Sequence, residues 1–93
     1  MTTTYNIHHI VQDGIVHVIA AGDLAVVESG GVANVIKGGK AYVMTGGYAI
    51  IDDYGWALVR DGGTATVYAG GYADIEAGGE VLTPDGGAYI TYI

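Results

Sequence analysis

A chain of 93 residues with 51% apolar residues, 17 glycines, eight tyrosines and one proline is too short for a second domain and too apolar for a disordered tail. Its ten acidic and three basic side chains, a net charge of −7, exclude a direct grip on nucleic-acid phosphates, which needs clustered Lys and Arg. With no cysteine, disulfides and thiolate metal sites are both excluded.

Met1 is followed by Thr2-Thr3-Thr4-Tyr5-Asn6, without a basic leader or a cleavable apolar run. No stretch is long enough to span a bilayer, so the chain reads as cytoplasmic, with an extracellular location left open by this test.

From Asn6 onward the sequence keeps an eight-residue period. Gly-Gly pairs fall at 30–31, 38–39, 46–47, 62–63, 70–71, 78–79 and 86–87, with Tyr54-Gly55 filling the gap and Gly22-Asp23, Gly14-Ile15 and Asn6-Ile7 extending the frame backwards. Eleven octads then run from Asn6 to Ile93, each predicted to be one strand and one corner. The fourth place is alanine seven times in succession, Ala25 to Ala73, and the sixth is β-branched throughout, from Val11 through Val27 and Ile51 to Thr83 and Thr91. Side chains two apart share a strand face, so these two columns are the predicted core. The glycine pair supplies a corner that needs positive φ.

Identical units with identical corners superpose by translation, which predicts an all-β, parallel β-solenoid filling residues 1–93 as a single domain. A two-sided coil of sixteen residues sets alanine opposite a β-branched residue and fills a thin core evenly. A three-sided coil would enclose a core too wide for alanine to fill, and is the alternative.

At the ends of the inward column His9 and His17 replace alanine first, and Val81 and Tyr89 last, as expected plugs of the open coils. The last strand runs to Tyr92-Ile93, and the expectation is that another copy or a partner covers it. His9 and His17, with Asp13 between them, are too few for a zinc site, so no metal and no cofactor is expected. The lone serine, Ser29, lies far along the rod from His8, His9 and His17, so no nucleophile and base meet and the chain is not expected to be an enzyme.

Outward places three, five and seven are unusually apolar. One face is predicted to carry Val16, Val18, Val32, Ile36, Tyr48, Ile50 and Tyr68, the other Leu24, Val26, Tyr42, Met44, Trp56 and Leu58. At least one face is thereby a candidate interface, against the plainer reading of strand-favouring residues on a sheet surface. Acid gathers in the second half, at Asp52, Asp53, Asp61, Asp74, Glu76, Glu80 and Asp85, answered only by Arg60. These carboxylates are either a solvated surface or an acidic patch for a basic groove.

Glu28-Ser29-Gly30-Gly31-Val32-Ala33 and Met44-Thr45-Gly46-Gly47-Tyr48-Ala49 resemble the Gly-Gly repeats of AIDA-type autotransporter adhesin passengers. That resemblance implies the fold, a parallel β-solenoid with Gly-Gly corners.

The expected function is a non-enzymatic protein-binding module and homo-oligomer with a basic protein partner, binding neither membrane nor nucleic acid directly. Small size and acidity suit an inhibitor of the phage or mobile-element type that blocks a host protein complex by occupying its surface. The alternative is a structural or adhesin-like solenoid that self-assembles end to end.

Overall fold

The computed structural model describes the backbone of residues 6–11 and 16–93, and side chains from Val18 onward. Short alternating segments between glycine corners become the strands β1 (Asn6–Val11), β2 (Val16–Ile19), β3 (Asp23–Val27), β4 (Val32–Val35), β5 (Lys40–Val43), β6 (Tyr48–Ile51), β7 (Trp56–Val59), β8 (Thr64–Val67), β9 (Tyr72–Ile75), β10 (Glu80–Leu82) and β11 (Tyr89–Tyr92). Odd strands form one sheet in the order β1-β3-β5-β7-β9-β11, and even strands a second, β10-β8-β6-β4-β2. All pairings are parallel, and from β2 to β10 partners are sixteen residues apart, as where Ala25 lies beside Ala41 and Val27 beside Val43. The chain is therefore a parallel β-solenoid of about five turns, two-sided as the alanine column requires.

Both predicted core columns point inward. Ala25, Ala33, Ala41, Ala49, Ala57 and Ala65 are fully buried, as are Val27, Val35, Val43, Ile51, Val59 and Val67. Since the two sheets of such a coil stand about 10 Å apart, only a small residue facing a larger one closes the space without a void.

Each regular corner is a four-residue turn closed by a backbone hydrogen bond, such as Gly39 N donating to Ile36 O at 2.8 Å. Its third residue takes positive φ, +80° at Gly38, which is the signature of a type II turn. The second glycine of the pair has a different task. A Cβ on Gly47 would stand 2.5 Å from the carbonyl oxygen of Val27 in the preceding coil, so the close stacking of coils tolerates only hydrogen there.

The octad frame fails at the last corner. In regular corners the seventh residue donates its N–H to the coil before, as Tyr68 N does to Ile51 O at 2.9 Å and Glu76 N to Val59 O at 2.9 Å. The equivalent residue after β10 is Pro84, which has no N–H to give. The ladder stops at Leu82, the turn closes instead from Gly86 N to Thr83 O at 3.2 Å, and the corner lengthens by one residue. The register of β11 slips accordingly: Tyr89 lies beside Tyr72, Ile90 beside Ala73 and Tyr92 beside Ile75. Tyr89 is thus outward and not the inward plug expected, and Thr91 leaves the inward column, whose places pass to Ile90 and Tyr92. Ile90, Val81 and Ala88 pack against the core from this end.

At the other end His9 lies beside Ala25 and His17 beside Ala33, after a register shift between Ile7 and His9. The side chains of His8, His9, His17 and Val16, and the whole of Asp13, lie outside the described residues, and so does the plug assigned to them.

Candidate functional site

Because each octad turns the chain through half a coil, residues eight apart lie on opposite faces and residues sixteen apart on the same one. The outer face of the six-stranded sheet collects Leu24, Lys40, Trp56, Tyr72 and Tyr89 as one column, in register from strand to strand. A second column beside it reads Val26, Tyr42, Leu58, Asp74 and Thr91. Stacking at the strand spacing brings aromatic rings together. Tyr42 meets Trp56 edge to face at 6.1 Å, and Tyr72 lies flat on Tyr89 at 4.8 Å with 15° between the rings. Both geometries are favourable arrangements of ring quadrupoles.

Of the apolar residues expected on this face, Tyr42, Met44, Trp56 and Leu58 are half-buried, each covered along the sheet by its neighbours one coil away. Tyr72 and Tyr89 are more open, at 42% and 59% exposure. They extend the aromatic column; Tyr72 was not singled out from sequence, and Tyr89 was expected as an inward plug. Tyr72 holds the same place as Trp56 sixteen residues earlier, a signal the period itself carries, whereas Tyr89 was hidden by the slipped register after Pro84.

On the five-stranded face, Val32, Ile36, Tyr48 and Ile50 are half-buried and Val18 is exposed. The Tyr48 hydroxyl shares a 2.6 Å hydrogen bond with the Thr66 hydroxyl two strands away in sequence and one coil away in space. That bond covers Thr66 and knits this face laterally.

The acidic residues do not form one surface. Asp74 and Glu76 lie on the six-stranded face, while Glu80 begins β10, beside Thr64, on the opposite face. Asp52 and Asp53 occupy the corner after β6, and Asp61 the corner after β7, which are opposite edges of the coil. Glu76 accepts a hydrogen bond from Arg60 Nε at 3.0 Å. With Arg60 half exposed, such a pair contributes about 0–1 kcal/mol. Asp74, next to the aromatic column, is the acidic group best placed to act with it.

Among the described residues no group of three or more His, Asp or Glu side chains comes together as a metal site, and no helix is long and apolar enough to cross a membrane.

No protein-family model and no curated protein matches the chain. Among solved structures it is similar to the TibC-catalysed hyper-glycosylated fragment of TibA, at 21% identity and a TM-score of 0.29, covering 84% of this chain and 53% of that one. The chain thus spans about half the length of that fragment.

Proposed function

We propose that the chain is a non-catalytic protein-binding module that acts by surface occupation, through the outer face of the six-stranded sheet. The observation that carries this reading is the aromatic column of Trp56, Tyr72 and Tyr89 with Tyr42 beside it, half-buried to exposed on a flat sheet. Tyr and Trp dominate binding hot spots because they bury large area at small entropic cost. A face of six short strands offers about 400 Å², half of the roughly 800 Å² per partner of a standard interface. Affinity then depends on a few anchors, with Asp74 and Glu76 selecting a partner of basic surface. A small acidic chain occupying such a surface is an inhibitor of whatever else binds there.

Affinity capture from the source cell, with mass spectrometry, tests this when the same column is run with Y72A/Y89A and D74K/E76K. Each variant should weaken capture of one basic protein by about tenfold or more, while L82S on the opposite face leaves it unchanged. Capture that survives both face variants rules this surface out.

A second reading has its own observation. The coil of β10 and β11 exposes Leu82, Tyr92 and Ile93 at 58%, 73% and 65%, beside strands paired on one side within the chain. Open strand edges with apolar residues template further strands, which supports end-to-end stacking into a structural solenoid. Electron microscopy at high protein concentration should then show fibres with a repeat of about 4.8 Å; only discrete particles would remove this reading.

A further inference from the structure

The two narrow edges of the solenoid differ in a way that neither reading above uses. On the edge formed by corners after even-numbered strands, the tips of successive turns are Ala21, Lys37, Asp53 and Ala69, followed by Gly22, Gly38, Tyr54 and Gly70. All are exposed except Gly70, which is half-buried. The opposite edge reads Ser29, Thr45, Asp61 and Ala77, followed by glycine every time, and has no basic tip.

Tyr54 is the anomaly. It alone among the described non-glycine residues has positive φ, 64°, where the other turns use glycine. A side chain in that conformation costs about 1–2 kcal/mol. The ring lies outside the core, being 58% exposed, and its aromatic face meets the ammonium of Lys37, 5.6 Å from the ring centroid. Strain kept at an exposed aromatic points to a contact made outside the chain.

We propose that this edge is a two-fold contact between two copies of the chain. Take a second copy rotated by half a turn about an axis along the sheet normal, passing between the coils of Lys37 and Asp53. The edges then face each other with the solenoid axes antiparallel. Lys37 of each copy meets Asp53 of the other, and Ala21 meets Ala69, small against small. Tyr54 meets the turn at Gly38, which presents no side chain of its own, the place of a Cβ there being taken by Ala21 of the coil before, and Gly22 meets Gly70. Every position of the edge is complementary to the position the two-fold places against it, as an isologous interface requires. The other edge-to-edge two-fold, with parallel axes, brings Lys37 to the level of Lys37 and Asp53 to the level of Asp53, and like charges disfavour it.

Four turns at about 4.8 Å make a contact roughly 20 Å long, far smaller than a standard interface. Each copy also carries a net charge of −7. The dimer is therefore a weak, exchanging one, with a dissociation constant on the order of 100 μM.

Equal amounts of unlabelled and isotope-labelled chain, mixed at several times that concentration and joined by a zero-length carbodiimide, test the contact. Mass spectrometry should find mixed-isotope cross-links between the peptides of Lys37 and Asp53. K37D and D53K should each reduce them roughly tenfold or more, by replacing attraction with repulsion, and the K37D/D53K double swap should restore them between the exchanged residues. Y54G, which copies the other corners, should lower the yield severalfold with no loss of melting temperature. Cross-links confined to one isotope, a double swap that fails to restore them, or a purely monomeric sedimentation profile at that concentration would each overturn the proposal. None of these outcomes bears on the aromatic sheet face, which is a separate surface.

Discussion

Replacing Gly47 by alanine is expected to destabilise the fold by about 3–5 kcal/mol, an unusually large loss for one methyl group. Gly47 is buried, and the added Cβ would stand 2.5 Å from the carbonyl oxygen of Val27 and 3.1 Å from its carbonyl carbon. That carbonyl cannot move aside, because it accepts the 2.8 Å hydrogen bond from Met44 N that ties one coil to the next. The clash is with backbone, so relief means opening the ladder and not turning a side chain. Alanine at Gly22 is the control. There φ is +86° and nothing lies within 4 Å of a Cβ, leaving only the left-handed conformational cost of about 1–2 kcal/mol. Urea midpoints of G47A and G22A measure the difference directly. Equal midpoints would mean that the coils part freely and that close approach is not what the second corner glycine provides.

The coil was legible because its causes are local and repeated. Glycine every eight residues, alanine at one inward place and Val or Ile at the other leave a two-sided stack as the economical solution, and Ala25 to Ala73 are buried as that pattern demands. The slipped last strand, β11, turns on a residue that was also in view. Pro84 sits where an N–H must reach the preceding coil, and counting octads assumes that every corner has the same hydrogen bonds to make. The division of labour within each glycine pair was less legible, since positive φ at Gly46 and close approach at Gly47 look alike in a sequence. The candidate surfaces were half legible. Residue type flagged Trp56, Tyr42 and the carboxylates, but adjacency in sequence is misleading where each octad crosses to the other face. Asp74 and Glu80, six residues apart, lie on opposite sheets for that reason. Tyr54 was visible only as a filler of the glycine frame, and its strain appears once the neighbouring turns supply the comparison.

The core should be less tolerant of added volume than of lost volume, and Ala49 and Ile51 on β6 allow both to be measured on one strand. Each is fully buried. Ala49 lies between Ala33 and Ala65 in its column, in register on both sides, so a larger side chain has no gap along the column to enter. It would have to push the two sheets apart, and those are fixed at every half-turn by the corners. Ala49→Leu is therefore expected to cost about 3 kcal/mol, at the upper end for overpacking. Ile51→Val, which removes one methylene and leaves a small cavity, should cost about 0.5–1.5 kcal/mol. Chemical denaturation of the two variants decides the order. If A49L proves as stable as the parent, the alanine column is not what limits the sheet separation, and the physical reason for two sides instead of three would be lost.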